Sequence, residues 1–340
     1  MIIVMKPEAT KDQVQHVVDL VQEFGLQEQV IVGTDRTVIA AIGDKRGHEK
    51  QAIEHAAGVE KLVPILAPYK RASTEVKPEP TIVKVGPKGF PIGGSGPIAM
   101  IAGPCAVESE EQIMASARAA AAAGCMGLRG GAYKPRTSPY SFQGMQEEGL
   151  KLLAAARDET GLAVFTEVVS VATVDLVASY ADVLQVGARN MQHYPLLEAV
   201  GRCDKPVLLK RGLASTLDEW LLAAEYIINA GNPNVILCER GIRAYEDYVR
   251  NTLPLAAVPA LKARTHLPVL VDPSHGTGHA YLIAPMTRAA IACGADGVIL
   301  EMHPDPEHAL SDGAQSITPA DLDELMPSVA AIANAVGRTM

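Results

Sequence analysis

Between residues 98 and 303 eight short aliphatic runs recur, and each breaks into charged or hydrogen-bonding residues at its C-terminal end. The runs are "IAMIAG", "MGLRGGA", "LAVFTE", "DVLQVGA", "PVLLKRG", "VILCERG", "PVLVDPSHG" and "GVILEMH", and Ala-rich helical stretches separate them. Strands that do not alternate apolar with polar residues are buried on both faces, as in a parallel sheet covered by helices. Eight such repeats over roughly 240 residues match the size and count of a (β/α)8 barrel. An open doubly wound sheet is the competing fold, but it seldom needs so regular a count.

A barrel of this kind collects the C-terminal ends of all eight strands on the face that carries the active site. The residues delivered there are Cys105 and Glu108, Arg129 and Lys134, Thr166 and Glu167, Gln185 and Arg189, Lys210 and Arg211, Glu239 and Arg240, Asp272 and His275, and Glu301 and His303. A packed barrel interior tolerates none of these charges, so the pattern predicts one polar site.

Upstream, residues 2 to 66 read as strand, helix, strand, strand, helix, strand, with a turn at "TD" (34–35) and a last strand running through "VEKLVPIL". That order is the βαββαβ of a split βαβ, ferredoxin-like unit. The stretch "APYKRASTEVKPEP" that follows is rich in proline and charge and reads as a linker. "TIVKVGPKGFPIGG" then suggests a short hairpin. The expected organisation is a ferredoxin-like domain over 1–66, linker and hairpin over 67–97, and a barrel over 98–340.

Composition narrows the function. With 340 residues, 48% hydrophobic and 20% charged, the chain can bury a large core. A net charge of -9 excludes broad binding to nucleic acid or an anionic membrane, so any anion site must be built locally. No apolar run approaches the ~20 residues a spanning helix requires. The start "MIIVMKPEATKD" meets proline and charge too early for a signal peptide, which predicts a cytoplasmic protein. Five cysteines without a CxxC pair indicate neither a disulfide framework nor a zinc knuckle.

Two chemical subsets stand out at the strand ends. Cys105, His275, Glu301 and Asp312 follow strands one, seven and eight, which adjoin when a barrel closes, and offer a thiolate, an imidazole and two carboxylates to one divalent cation. Singly, each has a plainer reading: a lone cysteine is usually a buried hydrophobe, and "HGTGH" a glycine-rich loop. Mixed soft and hard donors suit manganese, iron, cobalt or zinc without choosing among them. The second subset is cationic: Arg129, Lys134, Arg136, Lys210, Arg211 and Arg240 crowd the same face of an acidic protein. Six like charges repel unless anions neutralise them, so at least two phosphate or carboxylate groups are expected there.

On "AGPCAVES", "KPRTSPYSFQG", "QVGARNMQ", "LLKRG", "DPSHGTGH" and "EMHPDPEHALSDG", the chain resembles the 3-deoxy-D-arabino-heptulosonate 7-phosphate (DAHP) synthases, in the form bearing an N-terminal ferredoxin-like domain. The resemblance extends through "MIIVMKPEAT" and "DRTVIAAIGD" and so covers essentially the whole chain. It implies condensation of phosphoenolpyruvate with erythrose 4-phosphate and release of phosphate, at entry to the shikimate pathway. By that similarity Cys105, His275, Glu301 and Asp312 hold a metal acting as Lewis acid on the aldehyde. Arg129, Lys134, Arg189, Lys210 and Arg240 take phosphoenolpyruvate, while Arg136 and Thr137 grip the phosphate of erythrose 4-phosphate. Gln185, Ala188 and Asp312 join the substrate contacts. Glu167 positions or activates water, Lys134 donates a proton to the developing alkoxide, and His303 helps manage protons unless "HPDP" is merely a rigid turn.

Two alternatives stay open. The sister enzyme, 3-deoxy-D-manno-octulosonate 8-phosphate synthase, shares barrel and chemistry but takes arabinose 5-phosphate; "KPRTS" favours the shorter sugar. A catalytically silent sensor is the other, against which the intact Cys, His, Glu and Asp set argues. The resemblance further implies a regulatory N-terminal domain answering to tyrosine or phenylalanine, and a homotetramer.

Overall fold

The computed structural model describes residues 1–33, 36–43, 47–63, 67–136 and 138–340, which form two compact units, Met1–Glu79 and Pro80–Met340. The expected turn at 34–35, the end of the fourth strand at 64–66 and Thr137 lie outside the described residues.

In the first unit β1 (Ile2–Met5), β2 (Gln27–Val32), β3 (Thr37–Ile42) and β4 (Val59–Val63) form an antiparallel sheet in the order β2-β3-β1-β4. Helices Lys11–Glu23 and Gly47–Glu54 connect them, the first started by a capping box in which Thr10 and Gln13 satisfy each other's backbone N–H groups. Period-two alternation sends Ile3 and Met5 to a core with Val17, Val21, Ile39 and Ile53. Ile2 and Val4 go to the other face with Ala40 and Ile42, where Val76, from the stretch read as linker, covers them.

The second unit opens with the hairpin β5 (Val83–Val85) and β6 (Phe90–Ile92). Eight parallel strands follow: β7 (Ala99–Gly103), β8 (Gly127–Arg129), β9 (Ala163–Glu167), β10 (Val183–Val186), β11 (Val207–Lys210), β12 (Val235–Glu239), β13 (Val269–Val271) and β14 (Gly297–Glu301). Each pairs with the next, and β14 closes on β7 with Gly297 opposite Ala99 and Glu301 opposite Gly103. All eight coincide with the aliphatic runs. Inside, Ile101, Phe165, Leu208, Ile236 and Ile299 pack in one cluster with Val83, Val85 and Ile92 of the hairpin. Because Gly86 of the hairpin abuts Ala163, the first residue of β9, the hairpin plugs the N-terminal end of the barrel. The polar face at the C-terminal end is left open. Among the described residues no helix is long and apolar enough to cross a membrane.

Candidate active site

The segment after β13 folds around one carboxylate. Asp272 caps the short helix Pro273–Thr277 by accepting the His275 N–H at 2.9 Å, with Pro273 in the first turn where no N–H is needed. The cap places the Asp272 carboxylate beside the ring it must orient: Oδ2 lies 2.8 Å from His275 Nδ1 and also pairs with the Lys210 ammonium, and all three groups are largely shielded from solvent. Burial alone would raise the Asp272 carboxyl, but His275 and Lys210 outweigh it and hold it well below the usual carboxylate range. Burial in turn pushes the His275 imidazole down against the opposing pull of Asp272. His275 Nδ1 faces Asp272 without a proton aligned on it, and Nε2 lies 3.6 Å from Glu301 Oε1.

Closure of β14 on β7 brings the other donors to that point. One ligand atom each from Cys105, Glu301 and Asp312 lies within 4.8 Å of the other two, and His275 joins them through Glu301. The Cys105 thiol donates to Asp312 Oδ2 at 3.1 Å and stands 3.2 Å from Ser311 Oγ, while Lys134 Nζ donates to its sulfur at 2.9 Å. Burial, reinforced by Glu301, pushes the thiol up to about 12. Glu301 Oε1 is buried without a hydrogen bond; Arg129 Nη1 approaches to 3.0 Å without aligning a proton on it. A buried carboxylate oxygen lacking a donor, facing a thiol that only added positive charge can ionise, fits a divalent cation held by sulfur, nitrogen and oxygen.

Beside this cluster opens a cavity of about 360 Å3. Lys134, Arg136, Glu167, Gln185, Ala188, Arg189, Lys210, Arg240, His275 and Asp312 all line it. Arg129 sits in a smaller adjoining recess with Cys105, Lys134 and Glu167. Burial raises the Glu167 carboxyl against the opposing pull of Lys134, Lys210, Arg129 and Arg189. Gly187 makes room for that carboxylate, since a Cβ there would come within 2.0 Å of Glu167 Oε1.

Arg211 and His303 are among the strand-end residues that stay out of the cavity lining. Arg211 turns away to a buried ion pair with Glu239 at 2.8 Å and donates to the Ser215 carbonyl. His303 accepts the Asp305 N–H on Nδ1 and presents Nε2 to Glu108 at 3.4 Å. Conversely, the loop after β12 adds Arg243, Arg250 and Asn251, which the strand-end pattern did not single out. The lining thus carries seven cations, Lys134, Arg136, Arg189, Lys210, Arg240, Arg243 and Arg250, against two carboxylates, Glu167 and Asp312.

Comparison with known proteins gives this arrangement its context. Residues 75–336 match the DAHP synthetase I family, and residues 1–67 match the DAHP synthase ferredoxin-like domain. The chain belongs to the DAHP synthase family. It is 48% identical over 337 residues, 99% of each chain, to the phospho-2-dehydro-3-deoxyheptonate aldolase of Thermotoga maritima. The crystal structure of that DAHP synthase covers 99% of this chain and 98% of its own at a TM-score of 0.79 and 47% identity, and a truncated form covers 79% and 97% at 0.73 and 46%. Farther off, a 2-dehydro-3-deoxyphosphooctonate aldolase of Syntrophotalea carbinolica is 34% identical over 70% of this chain and 91% of its own. DAHP synthases depend on a metal, and Cys105, Glu301 and Asp312 are where the described residues offer one a place.

Proposed function

We propose that the chain condenses phosphoenolpyruvate with D-erythrose 4-phosphate and water, releasing inorganic phosphate and 3-deoxy-D-arabino-heptulosonate 7-phosphate. The observation that carries this reading is a cavity in which cations exceed carboxylates by five, adjoining a cluster of one thiol and two carboxylates that the His275 ring approaches. Two phosphate monoesters and a carboxylate bring roughly four to five negative charges near neutral pH, which is what such a lining would neutralise.

Cys105, His275, Glu301 and Asp312 would hold the metal, which supplies Lewis acidity toward the aldehyde oxygen when bound. Arg129, Lys134, Arg189, Lys210 and Arg240 bind the phosphate and carboxylate of phosphoenolpyruvate, with Gln185 and Ala188 shaping that end. Arg136 and Thr137 take the phosphate of erythrose 4-phosphate. Lys134 touches both the Cys105 sulfur and the cavity, so its ammonium can deliver a proton to the alkoxide formed as the new carbon–carbon bond closes. Glu167 orients the water that adds to the enol ether carbon, after which the hemiketal phosphate loses phosphate by carbon–oxygen cleavage. His303 contributes from behind, through Glu108. Gly187→Ala would displace Glu167; since a misplacement of ~1 Å costs about 100-fold, kcat should fall by that order while KM for phosphoenolpyruvate changes little. Steady-state kinetics on a variant with unchanged circular dichroism check this, and an unchanged kcat would remove Glu167 from the water step.

The five-carbon sugar is the second reading, favoured by the phosphooctonate relatives of the barrel. A phosphate-release assay with erythrose 4-phosphate and with arabinose 5-phosphate, before and after chelation and manganese repletion, separates them. Metal-dependent turnover with the four-carbon sugar supports the proposal, preference for the five-carbon sugar replaces it, and silence with both points to a sensor.

For the first unit we propose feedback regulation by tyrosine or phenylalanine within a homotetramer in the cytoplasm. Among the described residues its charged side chains form no catalytic constellation, and an effector favouring a closed arrangement would couple to substrate entry through one conformational equilibrium. Removing residues 1–66 should leave turnover and abolish inhibition by these amino acids; a truncated enzyme still inhibited by tyrosine would refute the role.

A further inference from the structure

Behind the donor cluster, Gln315 is buried between a guanidinium and a carboxylate. Its Oε1 accepts from Arg250 Nη1 at 2.6 Å, and its Nε2 donates to Glu301 Oε2 at 2.5 Å. Arg250 can only donate, so the amide must turn its oxygen to Arg250 and its nitrogen to Glu301. The same guanidinium stands 3.6 Å from Asp312 Oδ1. One loop residue thus braces two of the acidic donors, Asp312 directly and Glu301 through the amide.

We propose that Gln315 is a positioning residue that, held by Arg250, selects which oxygen of Glu301 faces the metal. With Oε2 occupied by the amide N–H, Oε1 is the oxygen left without a hydrogen bond and turned toward His275. Without the amide the carboxylate is free to turn, and Oε1, already 3.0 Å from Arg129 Nη1, can align on that guanidinium in place of a ligand bond. Arg250 comes from the loop that also brings Arg243 to the cavity, so the brace ties the substrate-binding loop to the donor set. Loss of partners of this kind costs about 10- to 100-fold in metal affinity.

The inference rests on the metal site proposed above, and its test separates the two. Metal-free full-length protein is titrated with manganese by calorimetry, for the parent chain and for Gln315→Met, Arg250→Met and Cys105→Ala. Methionine keeps the volume of glutamine but neither donates to Glu301 nor holds Arg250. The expected result is affinity about 10- to 100-fold weaker for Gln315→Met, with its kcat restored at saturating manganese, and affinity weakened in the same direction for Arg250→Met. Should Gln315→Met fail to fold, Gln315→Ala, which leaves the contact of Arg250 with Asp312 in place, decides alone. Affinity within twofold of the parent, while Cys105→Ala no longer binds, overturns the role of Gln315 and leaves the metal site standing. Unchanged affinity in Cys105→Ala as well overturns both.

Discussion

Cys105→Ala should lose divalent-metal binding and at least about three orders of magnitude in kcat/KM, while folding to nearly the same stability. The two effects part because the thiol has two environments. In the metal-free protein it is a small, buried, neutral group, protonated up to about pH 12, and its removal costs its hydrogen bonds with Asp312, Ser311 and Lys134 and a little packing, while Lys134 keeps its bond to the residue 105 carbonyl. With metal it must become the thiolate ligand, and nothing else in the cluster is soft. Lewis acidity contributes several kcal/mol to a reaction of this class, and ~4 kcal/mol is a factor of about 1,000 in rate. Metal content after dialysis, a manganese titration and phosphate release with and without chelator measure it. Full activity of Cys105→Ala in excess EDTA would sink the metal reading and leave Lys134 to polarise the aldehyde unaided.

The outlines of this site were legible because a barrel converts sequence position into spatial position. Any residue just past an aliphatic run arrives at the same face, so Cys105, Glu301 and His275 could be grouped although up to 196 positions apart. What a run cannot specify is which way a side chain at its end turns. Lys210 and Arg211 are neighbours; Lys210 enters the cavity, while Arg211 points out to Glu239. The period of two is plain within a strand but is lost where the strand stops, and the turn of His303 toward Glu108 is unreadable for the same reason. Arg250 and Gln315 were invisible for another reason. They lie well beyond their strands, and Arg250 returns only because its N–H bonds to the Thr277 carbonyl and the Asn251 N–H to Gly276, pairings between loops that no local pattern encodes. Val76 in the first unit is the apolar counterpart: a hydrophobic residue within a proline- and charge-rich stretch, which covers the second face of the sheet.

The second large effect concerns charge buried under the substrate site. Lys210 and Asp272 pair with almost no exposure, and removing one partner of such a pair leaves the other ionised in a poor solvent, at ~3–5 kcal/mol. Lys210→Met should therefore destabilise the second unit by about that amount in urea. It should also raise KM for phosphoenolpyruvate, because the side chain lines the cavity. The two consequences can be separated by neutralising the abandoned partner. In Lys210→Met with Asp272→Asn the buried charge is gone and asparagine still accepts the His275 N–H that starts the helix, so most of the lost stability returns. The KM defect does not return, since no cation has been put back. Recovery of both would mean that Lys210 acts only through the fold and never touches substrate. Recovery of neither would mean that the lost stability comes from something other than a stranded Asp272 carboxylate.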